Sequence, residues 1–184
     1  NRHSVQLAYF DQDLQNEIDG FVFEPDSFIY TARNKQSDSH RKGVEAIIDL
    51  KPSDSFTLTA TYTYTDATEI DSGGESVSEV RRPRHMAGLF ASWYFAKDRG
   101  SVSLNLDYNG AQEDVYFSPI TYISERVKMN SYLVTDLAVA WRLARNLELT
   151  GRVSNLTNEK YEEILGFVRP GRALYAGLRG RFDF

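Results

Sequence analysis

The chain has 184 residues, of which 41% are hydrophobic, 13% aromatic and 26% charged, and its 21 basic and 26 acidic side chains give a formal charge of −5. That length suits one domain or part of one; a pI near 5.3 with no basic stripe excludes nucleic acid as a partner. With no cysteine there is no disulfide framework, no thiolate metal site and no Cys nucleophile.

Mean hydropathy is −0.45, and no run approaches the roughly 18 apolar residues of a membrane-spanning helix, so hydropathy alone describes a soluble acidic protein. The placement of the apolar residues argues differently. The 11 Tyr, 11 Phe and 2 Trp fall singly or in alternation, which suits strands. The chain opens on Asn1 with no basic n-region and no apolar h-region, so an exported protein would have lost its targeting segment or carry it upstream.

A first strand begins at Val5, Leu7 and Tyr9 and is read as running on toward Phe23. The second alternates Val44, Ala46, Ile48 and Leu50 with Glu45, Ile47 and Asp49. The third, FTLTATYTYT, is unbroken: Phe56, Leu58, Ala60, Tyr62 and Tyr64 on one face, threonines on the other. A helix would scatter those five residues around its whole surface. Ala87, Leu89, Ala91, Trp93 and Phe95 make a fourth strand; Val102, Leu104, Leu106 and Tyr108 a fifth; Leu133, Leu137, Val139 and Trp141 a sixth. Leu147, Leu149, Gly151 and Val153 form the seventh, and Leu174, Ala176, Leu178, Gly180, Phe182 and Phe184 the eighth.

Strands two and three, four and five, and six and seven are joined by the polar turns LKPSDS, AKDRG and RLARN. The alternate connections are long, at residues 66–84, 118–130 and 155–171, with a shorter one at 24–27. Short turns at one end and long loops at the other match a transmembrane β-barrel, with turns toward the periplasm and loops outside. Aromatic placement agrees. Phe56, Trp93, Phe95, Trp141, Phe182 and Phe184 lie near the turn ends, and Tyr62, Tyr64, Tyr108 and Tyr116 toward the loop ends, as two interfacial girdles. The opposite faces carry Glu45, Asp49, Asp107, Asp136, Arg142, Glu148, Arg152, Arg179, Arg181 and Asp183. In a barrel these line a wet or plugged lumen; in a soluble β-sandwich, the other reading of the same pattern, they form a solvated outer face.

The segments NEIDGFVF, SDSHRKGVEAIIDL, FTLTATYTYTDATEI, RRPRH and NLTNEKYEEILGFVRPGRALYAGLRGRFDF, in that order, resemble the C-terminal third of a TonB-dependent outer-membrane receptor. The features carrying the resemblance are the Gly43–Val44–Glu45 step, the Thr/Tyr strand ending in Asp, and the Pro-Arg-His-like step. They continue with Asn155, Leu156, Asn158 and Tyr161, then Pro170–Gly171–Arg172 and an aromatic C-terminus. Where the family commonly has Phe then Asp or Asn after the Asn-Leu pair, this chain has Thr157 and Asn158. The resemblance implies an all-β, antiparallel transmembrane β-barrel, of which residues 1–184 supply about the eight C-terminal strands of roughly 22. It implies that the plug domain, the TonB box and the other strands lie upstream, and that the protein sits in the outer membrane of a Gram-negative bacterium.

As a function it implies a receptor and transporter, not an enzyme, taking up a scarce nutrient with energy from the coupling protein TonB. The stretch Tyr161 to Arg172 is similar to the ending of cobalamin receptors and is largely shared by ferric-siderophore receptors, which places cobalamin slightly ahead. No cofactor is implied.

Candidate ligand contacts are the loop aromatics Tyr116, Tyr122 and Phe167, which offer stacking area, and Arg126, Arg169 and Arg172, which offer bidentate bonds to carboxylate or phosphate. The same residues read, and more readily, as rim and girdle side chains. Phe182 and Phe184, at spacing two from Gly180 and Leu178, resemble the C-terminal signal that outer-membrane proteins present to their assembly machinery. The basic cluster Arg81, Arg82, Arg84 and His85 reads either as a contact for lipopolysaccharide phosphates or as a solvated rim. Asp66, Glu69, Asp71 and Glu75 do not have the spacing of an EF-hand loop. His3, His40 and His85 suggest neither a zinc pair nor a triad, and no hydrolase dyad is evident. The alternative to a transporter fragment is a self-contained eight-stranded barrel with a structural or adhesive role.

Overall fold

The computed structural model describes residues 2–34, 38–71 and 73–181. Its strands are β1 (His3–Leu14), β2 (Ile18–Glu24), β3 (Ile29–Asn34), β4 (Ser39–Ser53), β5 (Phe56–Ile70), β6 (Ser76–Ser78) and β7 (His85–Phe95). They continue with β8 (Gly100–Asn109), β9 (Gln112–Phe117), β10 (Ser124–Met129), β11 (Tyr132–Ala144), β12 (Leu147–Ser154) and β13 (Ala173–Gly180). Eight of them form one antiparallel meander, in the order β1-β4-β5-β7-β8-β11-β12-β13, with β6 added on β5. These are the eight strands that the period-two alternation marks out.

The register keeps like faces together. Phe56 pairs with Trp93, Leu58 with Ala91 and Ala60 with Leu89, while Thr57, Thr59 and Thr61 pair with Ser92, Phe90 and Gly88. A slip by one residue would exchange the faces, so the two-sided pattern fixes the pairing. Two hollows of about 690 and 390 Å³ lie on the polar side, among Thr61, Thr63, Asp107, Asp136, Arg152 and Tyr175 and among Ser101, Ser103, Glu148, Thr150 and Arg179. The polar face is therefore concave and the apolar face convex.

No ordinary hydrophobic core exists. Among the described residues only Ala67 and Met129 are buried hydrophobics, while Val5, Leu7 and Leu174 stand 72%, 75% and 75% exposed. The accessible surface is 13358 Å²; a compact soluble monomer of 21.0 kDa exposes about 9,000 Å². A sandwich would have hidden its apolar face against a second sheet, and this sheet has none. The convex face needs lipid.

Both girdles appear on that face. At the turn end Trp93 and Phe95 lie 5.0 Å apart and Phe95 and Trp141 5.8 Å apart, with the Arg99 guanidinium 5.7 Å from the Trp141 ring. At the loop end the Tyr62 hydroxyl is 2.8 Å from Nδ1 of His85, and the Tyr64 and His85 rings are 5.3 Å apart. The Gly43–Val44–Glu45 step has a steric cause. A Cβ on Gly43 would sit 2.0 Å from the Tyr64 carbonyl oxygen and 2.6 Å from the Phe10 ring, so only glycine lets the two neighbouring strands close here.

Three expectations change. The first strand stops at Leu14, and Ile18–Glu24 and Ile29–Asn34 form a separate hairpin, so residues 24–27 are the end of β2 and most of that hairpin's turn, and the whole connection is long. Residues 118–130 are not all loop: Ser124–Met129 pairs back on Gln112–Phe117. Tyr116 consequently lies in that outer hairpin, off the main sheet, and is no member of the girdle. Period two cannot distinguish a long strand from two strands folded back on each other.

The sheet is open. Among the described residues β1 pairs only with β4 and β13 only with β12, which is not the closed eight-stranded barrel of the alternative reading.

Candidate functional site

At the loop end, the concave face and the loops above it enclose a hollow of about 690 Å³. Its wall is built by alternation, which turns Thr61, Thr63, Asp107, Asp136, Arg152 and Tyr175 inward from neighbouring strands; Tyr161 and Arg169 close it from the loop after β12. Arg152 donates to Asp136 Oδ2 at 3.0 Å and lies 6.0 Å from the Tyr175 ring. The other Asp136 oxygen accepts the Asn155 N–H at 2.9 Å. Tyr132 and Tyr161 stack with centroids 4.4 Å apart and planes 31° apart. Arg169 pairs with Glu163 at 3.1 Å.

The Asn155–Asn158 motif is what shapes this wall. Asn155 and Asn158 both adopt left-handed backbone, at φ 50° and 56°, which asparagine tolerates better than most residues. The Asn155 side chain donates to the carbonyls of Glu159 (2.9 Å) and Pro170 (3.3 Å) and accepts the Glu159 N–H (2.8 Å). Asn158 Oδ1 accepts the Arg172 N–H at 2.9 Å. Two asparagines thus tie both ends of the long last loop and hold Tyr161 beneath Tyr132.

Of the six ligand-contact candidates only Arg169 lines the hollow. Tyr122 (75% exposed, its ring 6.4 Å from that of Phe117) and Tyr116 stand on the outer β9–β10 hairpin. Phe167 is exposed in the last loop, and the Arg172 backbone serves the Asn158 turn. Arg126 is fully engaged, donating to the Ser78 carbonyl (2.6 Å), Glu113 (2.9 Å) and Glu69 (2.7 Å). Phe182 and Phe184 lie outside the described residues.

The basic cluster is paired within the chain. Arg81 meets Asp114 at 2.9 Å, Arg82 meets Glu79 at 3.5 Å and Arg84 meets Asp66 at 3.5 Å, while His85 takes the Tyr62 hydroxyl. In the acidic loop Asp66 pairs with Arg84 and Glu69 with Arg126, while Asp71 Oδ1 accepts the N–H groups of Gly73 and Glu75. No group of three or more metal-ligating side chains occurs among the described residues.

Two residues escaped the sequence reading. Asp114 is fully buried and accepts from Arg81 Nε (2.9 Å), the Val115 N–H (2.8 Å) and the Leu165 N–H (2.8 Å). Burial pushes its carboxyl up, but the Leu165 and Val115 N–H groups and the Arg81 charge outweigh this and leave its pKa below the usual carboxylate value. Gln112 donates to the Glu163 carbonyl at 2.9 Å. A lone Asp and Gln between aromatics have no spacing signal. The hollow offers stacked rings, hydroxyls and a paired Arg152–Asp136, groups suited to binding a ligand.

The family model described as TonB dependent receptor-like, beta-barrel, matches residues 1–156. Among solved structures the chain is similar to the pyoverdine outer membrane receptor FpvA from Pseudomonas aeruginosa PAO1, bound to pyoverdine (20% identity, 98% of this chain and 27% of that one, TM-score 0.78). It is also similar to the ferric-catecholate import receptor Fiu from E. coli K12 (21% identity, 98% and 25%, TM-score 0.74). A third is the siderophore receptor PirA from Acinetobacter baumannii (18%, 99% and 30%, TM-score 0.73). The chain spans between a quarter and a third of the length of these proteins.

Proposed function

We propose, from the premise that this chain belongs to the TonB-dependent receptor-like β-barrel family, that it forms the C-terminal eight strands of an outer-membrane receptor importing a ferric siderophore. The family is one of receptors and transporters, and its barrels sit in the outer membrane of Gram-negative bacteria. The observation carrying the reading is the two-faced open sheet: an uncovered apolar convex face, and a polar concave face with a tyrosine-lined hollow under its long loops. Lipid and lipopolysaccharide surround the first, and a plug from upstream fills the second. The TonB box that draws energy from the inner membrane lies with that plug.

Iron chelates are favoured over cobalamin because the pyoverdine, ferric-catecholate and PirA receptors are all siderophore receptors. The Tyr132–Tyr161 stack and the Arg152–Tyr175 contact suit a planar aromatic chelate. Phe167, Arg169 and Arg172 of the last loop and Tyr116, Tyr122 and Arg126 of the β9–β10 hairpin form the outer approach to it. Phe182 and Phe184 serve as the assembly signal, so deleting Phe184 lowers the amount of folded receptor.

The test expresses the full-length receptor in a Gram-negative strain without its own siderophore and cobalamin receptors. Radiolabelled iron is supplied as a ferric catecholate, a ferric hydroxamate and ferric pyoverdine, and labelled cobalamin in parallel. Uptake of iron from at least one chelate, lost when TonB is deleted, is expected. Uptake of cobalamin alone, or iron uptake indifferent to TonB, overturns the proposal.

A further inference from the structure

We infer that Asp114 is a positioning residue: it latches the β9–β10 hairpin to the loop after β12 and so holds residues 161–169, including Arg169, over the hollow. Its three donors come from three places. Arg81 belongs to the connection before β7, Val115 to its own strand and Leu165 to the last loop. Further bonds run alongside. The Arg81 N–H donates to the Glu113 carbonyl (2.7 Å), Gln112 to the Glu163 carbonyl (2.9 Å), and Arg126 reaches Ser78 and Glu69. Three outer connections are thereby joined.

Within the hairpin Arg126 also pairs with Glu113 across the two strands at 2.9 Å, so both strands share in the contacts that leave it.

Stability alone does not account for a carboxylate with 0% exposure. Burying a charge opposes the attraction that pairs it, and apolar side chains of similar volume usually serve as well. What a carboxylate adds is direction: its two oxygens accept from Leu165 on one side and from Val115 and Arg81 on the other. Leu165 lies midway between Tyr161 and Arg169, whose own backbones are bonded to each other, the Arg169 N–H to the Tyr161 carbonyl at 3.0 Å. Fixing the Leu165 amide therefore fixes the loop that carries one ring of the tyrosine stack and the arginine of the hollow. Asp114 itself does not line the hollow and acts on it at one remove.

The inference about ligand rests on the siderophore reading, while the latch does not, and the experiment separates them. Full-length receptor in nanodiscs is compared as wild type, Asp114→Ala and the isosteric Asp114→Asn, by amide hydrogen exchange and by equilibrium binding of the three ferric chelates named above. Exchange at residues 161–169 is expected to accelerate at least tenfold in Asp114→Ala and less in Asp114→Asn, with β11 and β12 unchanged. Wild-type protection of 161–169 in both variants overturns the latch, as does an equal acceleration throughout β11 and β12, which marks a merely structural role. For a chelate that wild type binds, Kd is expected to rise about tenfold in Asp114→Ala, while TonB-dependent uptake by whole cells carrying the same variant stays near wild type at saturating ligand. Unchanged Kd with a loosened loop overturns the positioning of the hollow. If wild type binds none of the chelates, the siderophore proposal fails and the exchange result still decides the latch.

Discussion

Placing arginine on either face of β8 tests which face meets lipid. Leu104 points outward and Asn105 inward, one residue apart on the same strand. Leu104 lies four residues from Gly100, where Phe95 and Trp141 converge, and four from Tyr108 of the opposite girdle (104 − 100 = 4; 108 − 104 = 4). At ~3.3 Å per residue that is ~13 Å of strand from each girdle, or ~10 Å along the membrane normal at ~40° tilt, which is the middle of a ~25 Å apolar band. Arginine facing lipid at that depth costs about 2–4 kcal/mol, a factor of about 30 to 900 in the folding equilibrium. Val102, two residues nearer the turn, should suffer less. Asn105 lines a polar hollow with Asp136 and Arg152, where an arginine should behave as an ordinary surface substitution, within about 0.5 kcal/mol. Reversible urea unfolding of the full receptor in short-chain lipid vesicles, for Leu104→Arg, Val102→Arg and Asn105→Arg, measures all three. The expected order of destabilisation is Leu104, then Val102, then Asn105. Equal losses at Leu104 and Asn105, or no gradient between Leu104 and Val102, would refute the assignment of faces.

Gly43→Ala drives a Cβ to within 2.0 Å of a backbone carbonyl that cannot turn aside, so a loss of about 1–3 kcal/mol is expected in the same unfolding assay; wild-type stability would contradict it. Asn155→Ala removes bonds to Glu159 and Pro170 and should expose the last loop, so that limited proteolysis cuts within residues 155–172 at least several-fold faster while the barrel stays intact. The latch at Asp114 carries a pH signature. Its folded pKa is depressed, so its contribution is present above the unfolded value near 3.9 and lost only as pH falls through the lower folded value. Proteolytic protection of the β9–β10 hairpin should accordingly be the same at pH 7 and pH 5 and fail only in stronger acid; fading between pH 6 and 5 would point to another group.

The eight strands of the sheet were legible because lipid on one side and water or plug on the other force strict alternation, as in Phe56 to Thr65. The same halving hides the membrane from hydropathy, since lipid-facing residues never accumulate into a run. Positions where alternation carried no information were misread. Ile18–Glu24 pairs only with Ile29–Asn34, with a bulge between Asp19 and Val22, and Ser124–Met129 pairs only with its own neighbour, so neither has the main sheet's lipid face to enforce alternation. The site was legible in its parts but not in their use. Arg126 looks in sequence like a free loop cation, yet three acceptors from separate segments occupy it. Asp114 has no sequence mark at all, because its role depends on Leu165, 51 residues away.

The open edges lead to a last prediction. The surface exceeds that of a compact chain by about 4,000 Å² (13358 against about 9,000 Å²). Lipid against the convex face and, in the proposed receptor, a plug against the concave one would supply no hydrogen bonds to the outer sides of β1 and β13. In hydrocarbon each unpaired backbone group costs several kcal/mol, so a twelve-residue edge such as β1 (His3–Leu14) cannot persist alone. Within a larger barrel the adjoining strands satisfy both edges. For the isolated 184-residue chain, in whose sheet β1 and β13 stand at opposite ends of the strand order, pairing between copies is the expected route. Refolded by itself in detergent micelles, the chain should run as oligomers in light scattering after size exclusion, with β1 and β13 amides protected only in that fraction. A monodisperse monomer whose β1 and β13 amides are both protected would show that the sheet can close on itself, and would restore the self-contained eight-stranded barrel.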